Sequence, residues 1–160
     1  MRLFVYGTLM KGGPNAHLLV GCRLLAKART KSSYYMVSNE AREGIHSSYR
    51  YPYVTKVQLH DDQGGGAAVK GEVYEFDEVE NADLLSILDA LEGHPEHYRR
   101  QSLHVATDCS DEELYCDAYI LENAATLQTI ASHLKAGASP PSFRTVPSGD
   151  WRAFTGDFAS

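Results

Sequence analysis

Apolar residues along this chain fall in short clusters broken by glycine, proline and charged turns, and in two stretches they recur at helical spacing instead. Leu3, Phe4 and Val5 make residues 2–6 an opening strand, which Gly7 and Thr8 end. Lys11-Gly12-Gly13 reads as a loop. Residues 14–20 read as a short helix, because the proline at its start is tolerated in a first turn. Strand-like segments follow at about 22–30, 33–37, 53–59 and 69–76. The run Asp61-Asp62-Gln63-Gly64-Gly65-Gly66 separates the last two, as a hairpin requires.

The best-marked helix covers 81–92. Asn81 is placed to cap it, Asp83 suits its first turn, and Leu84, Ile87, Leu88 and Leu91 share one face. Gly93 stands where a left-handed residue closes a helix, and Pro95 prevents continuation. Residues 98–106 and 114–121 read as two further strands around the turn Asp108-Cys109-Ser110-Asp111, and 124–134 reads as an amphipathic helix. Residues 135–160, rich in Gly, Ser and Pro, are expected to form an irregular tail held by Trp151 and Phe154. Many strands without alternating βαβ units indicate the α+β class, with an antiparallel sheet or barrel. No repeat or linker interrupts the chain, so one domain over residues 1–160 is expected.

Composition narrows the partners. Fifteen Lys and Arg against 21 Asp and Glu leave a formal net charge of −6. That sign disfavours nucleic acid or an anionic membrane surface, which need a basic footprint. No apolar run approaches the roughly 20 residues that span a bilayer, and the apolar stretch after Met1 is too short for a signal peptide. Cys22, Cys109 and Cys116 are odd in number and lack CxxC spacing, so reduced thiols and a cytoplasmic location are expected. A small molecule is the expected partner, with no obligate protein partner evident.

Two places carry candidate chemistry. Glu92 lies four residues after Leu88 and seven after Leu85, at the edge of the helix's apolar face, whereas Asp89 falls toward the solvent side. In the last turn, the helix dipole and any desolvation both disfavour a carboxylate and raise its pKa toward the range of a general base. The same position also suits a glutamate that simply reaches into water. In Val5-Tyr6-Gly7-Thr8-Leu9, a strand ending at glycine leaves backbone N–H groups able to bind a carboxylate or oxyanion. An ordinary strand-to-loop turn reads the same way.

The Val-Tyr-Gly-Thr-Leu loop, followed by Lys11-Gly12-Gly13-Pro14-Asn15-Ala16-His17, resembles the start of the γ-glutamyl cyclotransferase superfamily, also called AIG2-like. Gly71-Glu72-Val73-Tyr74 is similar to its central strand. Leu88-Asp89-Ala90-Leu91-Glu92-Gly93-His94-Pro95 resembles the helix end that carries its catalytic glutamate. Gly-Thr-Leu and Pro14-Asn15 most resemble the γ-glutamylamine branch. The resemblance implies a compact antiparallel β-barrel with a few flanking helices and a cavity at one end. It implies ring closure of a γ-glutamyl amine to 5-oxoproline, with no metal or cofactor. Glu92 would be the acid/base, and Tyr6, Gly7, Thr8 and Leu9 would hold the glutamyl part. The tyrosine-rich Tyr49-Arg50-Tyr51-Pro52-Tyr53 loosely resembles family positions, and substrate choice would be decided at the pocket's outer wall, in the insert 38–48 before it.

Other signals are weaker. His94, His97 and His104 lack a metal-binding helical spacing, and Gly64-Gly65-Gly66 lacks the spacing of a phosphate loop. Tyr98 reads as a barrel residue whose hydroxyl is satisfied elsewhere. Tyr119 stands equally as a substrate contact or as another barrel residue. Alternatives to the γ-glutamylamine reading are a cyclotransferase for γ-glutamyl amino acids or glutathione, and a non-catalytic module that binds a small carboxylate.

Overall fold

A computed structural model of the chain describes residues 1–40 and 50–156. The first strand, β1 (Arg2–Val5), has three consecutive buried residues, Leu3, Phe4 and Val5, so neither of its faces is left to water. It lies antiparallel to β4 (Ala67–Glu75) and beside β6 (Glu113–Leu121). β6 pairs along its length with β5 (Tyr98–Thr107), which pairs in turn with β2 (Arg23–Asn39). β2 also pairs with β4, closing a five-stranded barrel in the order β2–β4–β1–β6–β5. Among the described residues three α-helices accompany it: α1 (Ala82–Glu92), α2 (Ala124–Ala136) and α3 (Trp151–Thr155). The architecture is an α+β barrel.

The expectation of an antiparallel barrel needs one correction. β1 and β6 run parallel, with Leu3 opposite Asp117. These strands are remote in sequence and joined by no hairpin, so no turn dictates an antiparallel pairing.

β2 replaces two of the expected strands with one. Its register against β4 shifts between Arg29 and Ser33. There the Val69 amide donates to Thr30 Oγ1 at 2.8 Å, so a buried hydroxyl takes the place of the displaced backbone acceptor. The distal part of β2 leaves the barrel and carries β3 (Tyr51–Thr55) on one side and β7 (Phe143–Thr145) on the other. The segment expected as an irregular tail therefore contains the end of α2, a strand and a helix. Trp151 is 1% exposed and stacks with Phe154 at 5.7 Å. Of the insert 38–48, residues 41–48 lie outside the described residues, as does Tyr49 of the tyrosine-rich stretch.

α1 begins and ends by different means. Asp77 Oδ1 accepts from the Val79 and Glu80 amides just before the helix, while the Asn81 side chain makes no cap. At the other end Gly93 adopts a left-handed conformation (φ 64°) and closes the helix immediately after Glu92, as its place in the sequence predicts.

Candidate active site

Where β1 ends, the chain turns back on itself rather than continuing the strand. The Met10 amide donates to Gly7 O (3.0 Å), the Gly13 amide to Met10 O (2.8 Å), and the Asn15 amide to Thr8 O (3.0 Å). The Asn15 side chain adds a bond from Nδ2 to Thr8 Oγ1 at 3.0 Å. Two glycines make this fold possible. A Cβ on Gly7 would stand 2.6 Å from Cγ of Pro52, and one on Gly13 would stand 2.4 Å from the Thr8 carbonyl oxygen. Gly7 thus gives room to Pro52 of β3, a different use from the close ligand approach its position suggests. Among the described residues, no acceptor is found for the amides of Gly7, Thr8 and Leu9.

A buried carboxylate braces the loop from behind. Glu72 on β4 is 2% exposed. Its Oε2 accepts from the Lys11 amide at 2.9 Å and from the Tyr74 hydroxyl at 3.0 Å, and its Oε1 accepts from Arg152 Nη2 at 2.9 Å. Arg152 also donates to the Lys11 carbonyl at 2.8 Å. One arginine of α3 and one glutamate of the barrel therefore hold both backbone groups of Lys11.

The loop lines a cavity of about 240 Å³. The residues from Phe4 to Leu9 line it together with Asn15, Tyr51, Pro52, Leu91, Glu92, His97, Tyr98 and Tyr119. Every residue singled out in the sequence as a site candidate, Glu92, Tyr6, Gly7, Thr8, Leu9 and Tyr119, reaches this one cavity. The sheet register brings them together: Tyr98 opposes Leu121, and Tyr119 opposes Arg100 on the neighbouring strand, directly beyond the end of α1.

Among the described residues Glu92 is the one carboxylate lining the cavity. It is half-buried, and no hydrogen-bond donor or basic side chain among the described residues reaches its carboxyl. Desolvation pushes its pKa up to about 7, because the anion loses hydration without gaining a partner. Of the two readings open to Glu92 in the sequence, the geometry matches the desolvated one.

Three tyrosines surround this carboxyl. Tyr6 donates its hydroxyl proton to the Tyr119 carbonyl, and Tyr98 donates to the Pro52 carbonyl at 3.0 Å. Tyr119 donates to Asp89 Oδ1 at 2.6 Å. Asp89 is the residue that the helical pattern misplaces. It does not point only to solvent; Arg100 Nη1 meets both its oxygens at 3.3 Å, and together they fix the Tyr119 hydroxyl. The signal was the i−3 relation of Asp89 to Glu92, which places both near the helix end, but the partner arrives from β6 and β5. Tyr98 has its hydroxyl satisfied by the backbone and also lines the cavity.

The histidines serve separate contacts. His94 Nδ1 accepts from the Arg100 amide at 3.0 Å, His97 packs edge-on to Tyr53 and Tyr98, and His104 packs on Tyr115. Burial holds His97 below the usual histidine range. Among the described residues no helix is long and apolar enough to cross a membrane.

The family model for gamma-glutamyl cyclotransferase, AIG2-like, matches residues 3–153, from the first strand into the last helix. The chain belongs to this family. A gamma-glutamylaminecyclotransferase of Bos taurus is 34% identical over 122 residues, covering 73% of this chain and 63% of that protein. Gamma-glutamylaminecyclotransferase A of Danio rerio is 33% identical over 110 residues, covering 66% of this chain and 58% of its own length. The match thus spans less than two thirds of both of these relatives. An AIG2-like protein from Mus musculus has a solved structure that superimposes with a TM-score of 0.56 at 28% identity, over 74% of this chain and 75% of that one. In this chain the loop after β1 and Glu92 at the end of α1 line the same cavity.

Proposed function

We propose that the chain is a γ-glutamylamine cyclotransferase, a lyase that releases 5-oxoproline and a free amine from a γ-glutamyl amine such as γ-glutamyl-ε-lysine. The observation that carries this reading is the position of Glu92, an unpartnered carboxyl whose pKa is pushed up to about 7, in one cavity with the loop over Tyr6, Gly7, Thr8 and Leu9. The names borne by the Bos taurus and Danio rerio relatives support the amine as the leaving group.

In this reading the substrate carries its own nucleophile. Glu92 takes a proton from the α-ammonium. The freed amine attacks the γ-carbonyl carbon, forming the ring C–N bond as the carbonyl electrons move to oxygen. The electrons return, the bond to the leaving nitrogen breaks, Glu92 passes its proton to that nitrogen, and the ring nitrogen sheds its second proton to solvent, which returns one to the departing amine as its ammonium. Proton and electron counts balance without a cofactor, and 5-oxoproline and the amine are the products. The amides of Gly7, Thr8 and Leu9, which lack protein acceptors among the described residues, supply donors for the transient oxyanion or for the substrate carboxylate. Holding the extended glutamyl chain in a folded shape supplies the near-attack geometry.

The test is to incubate the protein separately with γ-glutamyl-ε-lysine, a γ-glutamyl α-amino acid and glutathione, and to quantify 5-oxoproline from each. The reading predicts release chiefly from γ-glutamyl-ε-lysine. Preferred release from either of the other two overturns the amine assignment, and release from none overturns the enzyme.

A further inference from the structure

Three consecutive residues seat the last helix on the barrel. Gly149 takes a left-handed conformation (φ 67°), and a Cβ there would stand 2.5 Å from the Ala68 carbonyl oxygen, so glycine lets the chain approach β4 closely. The Lys70 amide donates to the Gly149 carbonyl at 3.0 Å, and Lys70 Nζ meets Asp150 Oδ2 at 3.6 Å. Asp150 Oδ1 also accepts from the Ala153 amide at 3.1 Å, capping α3. Trp151 is buried. The place of the next residue, Arg152, is therefore set by contacts with β4 rather than by anything in the cavity.

From this seat Arg152 Nη2 donates to the Lys11 carbonyl at 2.8 Å and to Glu72 Oε1 at 2.9 Å, while Glu72 Oε2 accepts from the Lys11 amide at 2.9 Å. Hydrogen bonds with an ionised partner are the strong ones, so this clamp on one peptide segment is firm. Lys11 is joined directly to Met10. The Met10 amide closes the turn onto Gly7 O at 3.0 Å, and the Met10 carbonyl accepts from the Gly13 amide at 2.8 Å. Gly7, Thr8 and Leu9 make up the rest of that turn and line the cavity, whereas Lys11, Glu72 and Arg152 do not. The clamp grips the loop at its far end and touches no part of the cavity wall.

We infer that Arg152 is a positioning residue for this loop: through Lys11 it fixes the direction of the Gly7, Thr8 and Leu9 amides, and so sets how tightly a γ-glutamyl ligand is held. The inference goes beyond the cyclotransferase reading and rests on it for the identity of that ligand. A pair that only braced the barrel would lose its importance once the buried charge was neutralised. A positioning pair would not, because a neutral replacement leaves the Lys11 carbonyl without its donor. The double variant Glu72→Gln, Arg152→Met separates the two roles. Glutamine keeps an acceptor for the Lys11 amide, methionine donates nothing, and no unpaired charge remains. A misplacement of about 1 Å in a binding loop is enough to cost ~10²-fold in rate.

The test compares the wild type, Arg152→Ala and the double variant, with a thermal melt to verify folding at the measuring temperature. Backbone ¹H–¹⁵N NMR reads the Gly7, Thr8 and Leu9 amides. Calorimetry reads the affinity for S-butyl-L-homocysteine, a γ-glutamyl mimic with sulfur in place of the reacting carbonyl carbon. In the folded double variant the three amides are expected to shift and to lose order relative to the barrel strands, and affinity to fall about tenfold or more. Arg152→Ala is expected to behave alike, and whichever variant folds carries the test. Unmoved amides in a folded variant, or an affinity within about threefold of the wild type, overturns the inference. So does failure of both variants to fold, which makes the pair purely structural, or absence of binding by the wild type. The 5-oxoproline assay judges the enzyme separately. Wild-type turnover that the double variant matches removes only the positioning role, and Arg152-dependent binding without turnover removes only the enzyme.

Discussion

Arg152 of the last helix donates to the Glu72 carboxylate of a central barrel strand at 2.9 Å, across 80 residues of chain. Glu72 is almost fully buried and Arg152 is about one third exposed, so the pair is unequal. Removing the arginine leaves a buried carboxylate with only the Lys11 amide and the Tyr74 hydroxyl as donors. Arg152→Ala is expected to destabilise the fold by about 2–4 kcal/mol, near the range for breaking a buried pair and discounted for the exposed partner. The double variant Glu72→Gln, Arg152→Met is expected to cost less than the sum of the two single changes, because the uncompensated charge is gone. Urea denaturation of the wild type, Arg152→Ala, Glu72→Gln, Arg152→Met and the double variant checks both statements.

Gly7 and Pro52 are packed so closely that a methyl group does not fit between them. Gly7→Ala is expected to cost about 1–3 kcal/mol from overpacking and to raise KM by displacing the loop. Pro52→Ala removes the two ring carbons in the way. Adding it to Gly7→Ala should recover most of the lost stability, measured by thermal melting, and part of the lost KM.

Glu92 should make the protein less stable as pH rises. Its folded pKa of about 7 lies above the ordinary value of 4.5, so the folded state binds the proton more tightly than the unfolded state. Stability contributed by the protonated carboxyl is complete below about pH 4.5 and is lost as pH rises toward 7 and beyond. Glu92→Gln is therefore expected to be more stable than the wild type by about 1–3 kcal/mol at pH 8. It should show little difference at pH 4. Denaturant titrations at the two pH values measure it, and an equal difference at both would contradict the desolvated environment.

The barrel strands were largely legible, because their apolar clusters and glycine-rich turns are local signals. Gly93 marked the end of α1 for the same reason. The parallel β1–β6 contact and the continuity of β2 through its register shift were not legible, since both depend on which distant strand completes the barrel. The tail's strand and helix were hidden by its Gly, Ser and Pro content. Phe154 packs under the Arg50 and Arg144 guanidinium groups, contacts that no local pattern announces. In the cavity, Glu92 and the loop after β1 were readable from position, whereas Asp89 was not. Helical spacing assigns a residue to a face, but the hydroxyl of Tyr119 that reaches it comes from another strand.

The pH dependence of turnover follows from the same carboxyl with the opposite sense. A general base must be ionised, so kcat/KM should rise tenfold per pH unit below about 7 and level off above it. At pH 5 the rate is expected at ~1% of the plateau. A profile flat between pH 5 and 8 would show that no group titrating near 7 governs the reaction.

The central claim is that Glu92 moves the proton from the α-ammonium to the leaving amine. The most direct measurement is 5-oxoproline release from γ-glutamyl-ε-lysine by the wild type and by Glu92→Gln at pH 8, with both shown to be folded. A loss of roughly 10²–10⁴-fold in kcat for the variant is the predicted result. A variant rate within a few-fold of the wild type would contradict it.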